Sequence, residues 1–99
     1  MNIFNSFGSF AANGSIGNDF RVEKIEPYWS EYEAIVLDFD GVNSMTHSFV
    51  NALVGNLVEA HPDDYKRRLK FKNCSPLVKD FIKSALSFAA SRIAQRDVV

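Results

Sequence analysis

Cysteine is nearly absent from this sequence of 99 residues, since Cys74 is its one thiol. A single cysteine excludes a disulfide within the chain, and with it the small secreted scaffolds that depend on several disulfides. No apolar run approaches the ~20 residues that span a bilayer, and no basic start followed by an apolar stretch marks a signal peptide. We therefore expect a cytoplasmic protein that does not insert into a membrane.

Strong net charge is absent too. The formal net charge is −1, charged residues make up 23% of the chain and apolar residues 46%, which is typical of a folded chain and not of a disordered one. The length predicts a single domain over residues 1–99 and leaves no room for a multidomain enzyme. Residues 1–50 hold seven acidic and two basic side chains, whereas residues 51–99 hold five acidic and nine basic ones. This asymmetry either orients a protein partner or is ordinary surface charge.

Apolar periodicity predicts the main elements from residue 34 onwards. Residues 34–39 are apolar but for Asp38, rich in β-branched side chains, and predict a central strand buried on both faces. A helix is predicted from Thr46 to Ala60, because apolar side chains recur there every three or four positions. Residues 69–73 alternate apolar and basic as a strand with one exposed face does, and Ser75-Pro76 begins a helix that runs to about Gln95.

The first third of the sequence gives weaker signals. Residues 2–7 are interpreted as a short strand, residues 7–17 as a glycine-containing loop or hairpin, and the residues from Ile16 as a helix that Pro27 ends or kinks. The predicted order is β-α-β-α-β-α. It implies an α/β fold in which helices cover a small, mostly parallel sheet.

Hydroxyl groups are concentrated where the predicted central strand leads into a helix. Asp40-Gly41 favours a tight turn, and Ser44, Thr46 and Ser48 follow it. The pattern indicates either a turn with a helix cap, or a position where the helix macrodipole would stabilise a phosphate on one of the hydroxyls. Met45, as an apolar loop residue, is expected to be exposed and to make adaptable contacts.

His47 and Cys74 are the remaining candidates for chemistry. His61 is the second of only two histidines, and no cysteine or carboxylate lies at ligand spacing beside either one, so we predict no metal site and no cofactor. Cys74 precedes a helix start, which can depress a thiol pKa, but it also ends a strand and has no recognisable base partner, so we interpret it as a small buried side chain. No nucleophile, base and orienting group occur together, so we predict no enzymatic activity.

A basic segment supports an alternative function. It comprises Lys66, Arg67, Arg68, Lys70 and Lys72, with Tyr65 and Phe71 interleaved, and such a pattern can contact nucleic-acid phosphates. However, the sequence pI is about 6.1, and lysines on the exposed face of a strand also protect a sheet edge from unwanted pairing. Nucleic-acid binding is therefore the alternative hypothesis and not the preferred one.

Residues 37–57, LDFDGVNSMTHSFVNALVGNL, resemble the STAS-like domain family, small bacterial domains of largely unassigned function. The shared features are an Asp-Phe-x-Gly-Val strand end and a following helix centred on Ser-Phe, and the order of elements agrees from about Gly14 to Leu86. That family is similar to the STAS domains of anti-sigma-factor antagonists. In those domains the same strand-to-helix junction carries a phosphorylatable serine and docks a serine kinase of the histidine-kinase-like ATPase fold.

Laying Leu37 on the antagonist strand without a gap puts Thr46 at the antagonists' aspartate, His47 at their phospho-acceptor serine and Ser48 at the next serine. Histidine cannot replace a phosphoserine, so the resemblance implies the docking geometry, with Thr46 or Ser48 as alternative acceptors. We predict a non-enzymatic protein-binding module of a bacterial signalling switch that docks a histidine-kinase-like ATPase. The residues expected to bind it are Ser44, Met45, Thr46, His47 and Ser48. Self-association stays open, because the apolar stripe of the last helix extends to Ile93.

Overall fold

A computed structural model describes residues 1–96 of the chain. Its regular elements are α1 (Ile3–Phe7), β1 (Phe10–Ala11), α2 (Gly14–Phe20), β2 (Ile35–Asp38), β3 (Ser44–Met45), α3 (His47–Val50), α4 (Asn56–Ala60), α5 (Tyr65–Arg68), β4 (Leu69–Lys72) and α6 (Pro76–Arg96). Helix α2 continues into a π-helical segment, Arg21–Ile25, and a 3-10 turn, Glu26–Tyr28. A second π-helical segment, Asn51–Gly55, joins α3 to α4, and the resulting continuous helix is called helix 47–60.

The strands pair in parallel. β2 pairs with β4 from Ile35 opposite Leu69 to Asp38 opposite Lys72, and β1 pairs with β3. The other edge of β2 meets the start of the chain, where the Met1 ammonium donates to the Val36 carbonyl at 2.7 Å. Parallel strands require a long crossover connection, and helix 47–60 lies in the connection between β2 and β4. The predicted α/β class, with parallel strands and packed helices, is confirmed.

The strand predicted over residues 2–7 is wrong. Residues 3–7 form α1, because the Asn2 side chain accepts a hydrogen bond from the Asn5 N–H at 2.9 Å and caps the helix. Gly8, with a φ of 75°, ends it. Strand pairing near the start is limited to a bridge between Asn2 and Asp38 and to β1. The observed order therefore begins with a helix, and β3 and α5 are additional to the predicted β-α-β-α-β-α order.

Helix 47–60 lies at the centre of the core. Its predicted apolar stripe is fully buried, and consists of Phe49, Val50, Leu53, Val54, Leu57 and Val58. Helix α2 packs on one side of it and α6 on another. Gly17 lets α2 approach closely, since a Cβ there would lie 3.1 Å from the Phe49 ring.

Helix α6 covers the core with one face and leaves other apolar side chains exposed. Ser75 caps it as predicted by accepting the Val78 N–H at 3.2 Å, and Ile93 packs against the core whereas Leu77 and Phe88 are exposed. Self-association stays a prediction. Within residues 1–96, no helix combines the length and apolar character needed to cross a membrane.

Candidate docking site

The predicted docking residues lie on β3 and on the first turn of helix 47–60. β2 ends at Asp38, and the chain turns through Gly41, whose φ of 87° is in the left-handed region that favours glycine. The Thr46 N–H then donates to the Ala11 carbonyl at 3.0 Å, so the pairing with β1 positions the helix start. The junction therefore follows β3 and not directly the end of β2.

Thr46 is the N-cap of this helix. Its hydroxyl accepts the Phe49 N–H at 3.1 Å and donates to the Ala12 carbonyl at 2.7 Å. Of the two hydroxyl residues expected as possible caps, Thr46 and Ser44, Thr46 is therefore the cap. The bond from Phe49 caps the first helical turn, and the bond to Ala12 holds that turn against the segment after β1. Modification of this hydroxyl would therefore remove the cap.

Met45 is buried, and its predicted exposure is wrong. Only 2% of Met45 is exposed, and it belongs to the hydrophobic core. Successive side chains of a strand point to opposite faces, so β3 directs Met45 inwards while Ser44 is half-buried on the other side. Met45 thus packs in the core beneath β3 and is not accessible to a partner.

His47 and Ser48 are the exposed residues of the predicted set. The His47 ring lies against Phe81 of α6 with 4.9 Å between the ring centres. Together with Leu77, Asp80 and Ser84 these two rings line a shallow cavity of about 210 Å³. Ser48 is next to them on the first helical turn, and no hydrogen bond within residues 1–96 involves its hydroxyl. We define the junction surface as His47, Ser48, Leu77, Asp80 and Phe81.

Gly14 leaves the space that the Ser48 side chain occupies. A Cβ at residue 14 would lie 2.3 Å from Ser48 Oγ and 3.1 Å from the Ser48 carbonyl oxygen. A side chain there would therefore displace both the hydroxyl and the first turn of helix 47–60. The sequence contains Gly14 at the start of α2, but only the tertiary contact connects it to the site.

The tertiary structure divides the predicted basic segment. Arg68 Nε donates to Asp64 at 2.9 Å, and Arg68 Nη1 donates to the Tyr32 carbonyl at 2.6 Å. The backbone changes from α5 to β4 after Arg68. In the described part of the chain, Lys66, Arg67 and Lys70 are exposed and form no ion pair. The segment is therefore not one continuous basic strip, and nucleic-acid binding stays an alternative prediction.

Asp38 terminates β2 with an ionised carboxylate. The Asp40 N–H donates to Asp38 Oδ1 at 3.0 Å, Asn73 Nδ2 donates to the same oxygen at 3.1 Å, and the Lys72 ammonium is 3.8 Å from the other oxygen. These groups hold the pKa of Asp38 below its ordinary value of 3.8. The carboxylate connects the ends of β2 and β4 by polar contacts.

A polar cluster around Trp29 was not predicted from the sequence. The Trp29 indole stacks on the His61 ring at 4.0 Å, and its N–H donates to Asp64 at 3.1 Å. Burial by itself would raise the pKa of Asp64, but hydrogen bonds from Trp29 and Arg68 lower it. The one local signal is the four-residue spacing of Asp64 and Arg68, because Trp29 and Asp64 are 35 residues apart.

Cys74 is not an activated thiol. It is half-buried, and this burial raises its pKa even though nearby Lys79 opposes the effect. This agrees with the interpretation of Cys74 as a small buried side chain and not with the alternative of a thiol activated by the helix start. Among the described residues, no group of three histidine, cysteine, aspartate or glutamate side chains could hold a metal ion.

A family model described as a STAS-like domain of unknown function (DUF4325) matches residues 17–79. The matched range contains β2, β3, helix 47–60 and β4 in full, and therefore the whole predicted docking segment 44–48. Comparison of the chain with curated proteins and with solved structures gave no match.

Proposed function

The chain belongs to the family of STAS-like domains of unknown function, and from this premise we propose that it is a non-enzymatic protein-binding module of a cytoplasmic bacterial regulatory switch. The proposed partner is a histidine-kinase-like ATPase that docks on the junction surface. The observation that supports this best is the exposure of His47 and Ser48 beside Leu77, which is 48% exposed. Polar groups next to exposed apolar area are what a protein interface requires.

Ser48 is the hydroxyl that best fits a regulatory role. Thr46 uses its hydroxyl for two hydrogen bonds that hold the helix start, and Ser44 is half-buried within β3. Ser48 is exposed on the first helical turn, where the macrodipole favours negative charge, so a phosphate there would not unfold the helix. The added charge would lie next to His47 on the first helical turn and would weaken docking of a partner.

Met45 and Thr46 have supporting roles in this proposal. Met45 fills the core beneath β3, and Thr46 fixes the first helical turn against the segment after β1. His47 and Ser48 are the residues of the predicted set left for direct contact, with His47 already held against Phe81. A rigid support of this kind lowers the entropic cost of binding.

Isothermal titration of the purified chain with a purified histidine-kinase-like ATPase from the same bacterium tests the proposal. We expect saturable binding, and we expect Ser48→Glu to weaken it by about tenfold or more, because an unpaired charge in an interface costs roughly 1–3 kcal/mol. Ser91→Glu is the matched control, since Ser91 is exposed on α6 outside the junction surface. Absence of binding, or equal weakening by both variants, would contradict the proposal.

A further inference from the structure

A second surface lies between β4 and α6. It is a groove of about 560 Å³ whose lining joins three apolar side chains, Phe71, Ile82 and Leu86, to three lysines. The lysines are Lys72, Lys79 and Lys83, and Asn73 and Cys74 complete the lining. We call this surface the lysine groove. It shares no residue with the junction surface.

The two surfaces lie on opposite flanks of α6. Successive residues of a helix are rotated by about 100°, so Leu77, Phe81 and Ser84 share one flank while Lys79, Lys83 and Leu86 share the other. Val78, Ala85 and Ala89 lie between the flanks and are buried in the core. Binding at one surface therefore leaves the other accessible.

The positive charge of the groove favours an anionic ligand. No acidic side chain contributes to its lining. Lys72 has Asp38 as a distant partner at 3.8 Å, and in the described part of the chain Lys79 and Lys83 form no ion pair. Lys79 and Lys83, unpaired in that part of the chain, place two like charges beside an apolar floor, so carboxylates placed between them would be favourable.

The edge of β4 that faces away from β2 offers main-chain groups, unpaired within the described residues, to a ligand. The Lys72 carbonyl accepts the Phe39 N–H at 3.0 Å and thus points towards β2. Because main-chain groups alternate along a strand, those of Phe71 point to the other side, where residues 1–96 provide no hydrogen-bonding partner. An unpaired edge of this kind can accept an added strand from a peptide.

We propose that the lysine groove binds an acidic peptide segment of a protein partner. The carboxylates of the peptide contact Lys72, Lys79 and Lys83, and its apolar side chains pack on Phe71, Ile82 and Leu86. The peptide main chain extends the sheet beyond β4. A nucleic acid would use the lysines but would leave the apolar floor uncovered, and Phe71 is half-buried at 6.4 Å from the Phe39 ring instead of presenting an open stacking face. This activity is additional to docking on the junction surface.

Cys74 allows a direct test, because it is the only thiol of the chain and lines the groove. The probe is a short labelled peptide in which glutamate alternates with valine, and the comparison ligands are the lysine counterpart of that peptide and a single-stranded oligonucleotide. Fluorescence anisotropy measures binding to the full chain, and reaction with a coloured disulfide reagent measures the accessibility of Cys74. We expect only the glutamate peptide to bind and to slow the reaction of Cys74.

Two double variants distinguish binding in the lysine groove from a general effect of the net charge of the chain. Lys79→Glu/Lys83→Glu should weaken peptide binding by at least about tenfold, since two favourable charge contacts become repulsive. Lys66→Glu/Arg67→Glu makes the same change of charge at exposed residues outside the groove and should have a much smaller effect. Equal loss in both variants, tighter binding of the oligonucleotide, or unchanged reactivity of Cys74 with the peptide bound would overturn the proposal. Ser48→Glu should leave peptide binding intact, so failure of either proposal is distinguishable from failure of the other.

Discussion

The two flanks of α6 differ in charge and in the support beneath them. The junction surface combines an imidazole, a hydroxyl, a carboxylate and apolar area, and it is held by a capped helix start. The lysine groove has three cationic side chains beside an apolar floor and borders a strand edge. One helix thus separates a surface suited to a folded partner from one suited to an extended acidic segment. Substitution of side chains that a partner cannot reach tests how far the two flanks depend on the structure beneath them.

The largest effect is expected beneath the junction surface. Met45→Ala removes a side chain that is 2% exposed and should lower the free energy of unfolding by about 2–5 kcal/mol, because the core cannot fully close the cavity. His47→Ala, at an exposed residue two positions further along the chain, should change it by only about 0.5 kcal/mol. Urea unfolding followed by circular dichroism measures both. Similar values for the two variants would mean that Met45 is not part of the core.

A smaller loss is expected on the chain segment that leads into β4. Arg68→Ala removes hydrogen bonds to Asp64 and to the Tyr32 carbonyl and should lower the free energy of unfolding by about 2–3 kcal/mol, since these bonds involve charged groups. Arg67→Ala is the matched control and should stay within about 0.5 kcal/mol, because that side chain is exposed. Urea denaturation midpoints of the two variants decide the question. Equal midpoints would show that Arg68 contributes no more to stability than the exposed Arg67.

The smallest effect concerns the acid response at the end of β2. The folded-state pKa of Asp38 lies below its ordinary value of 3.8, so its contribution to stability is present above that value and is lost as the pH falls through the folded-state pKa. Asp38→Asn should therefore flatten the decline of stability below about pH 5. Asp19→Asn, at an exposed residue without a side-chain hydrogen bond in the described region, is the control. Parallel acid profiles for Asp38→Asn and the wild type would refute the prediction.

Elements specified by local interactions could be predicted closely. The apolar run of β2, the stripe of helix 47–60 and the start of α6 were each expected from the sequence, and the caps at Thr46 and Ser75 are confirmed. The capping groups lie within four residues of one another, and the apolar runs are visible in the spacing of neighbouring residues, so these elements can be predicted locally even though β2 pairs with the distant β4.

Elements that depend on distant residues could not be predicted. β1 and β3 are two residues long and exist because each pairs with the other across more than thirty residues. Residues 2–7 are predicted as a strand, but the Asn2 cap and the packing of Ile3 and Phe7 on the core stabilise a helix over residues 3–7. Short elements have too few side chains for periodicity to be informative.

The sequence by itself determined the family resemblance, the absence of an internal disulfide and the position of a helix start next to clustered hydroxyls. Those features depend on residue identity and on neighbours along the chain. Only the tertiary structure decided that Met45 is buried while His47 and Ser48 are exposed, and that Arg68 is held internally while Lys79 and Lys83 line a groove. The physical reason is that burial and charge pairing depend on groups brought together from distant parts of the chain, and no local pattern specifies which groups those are.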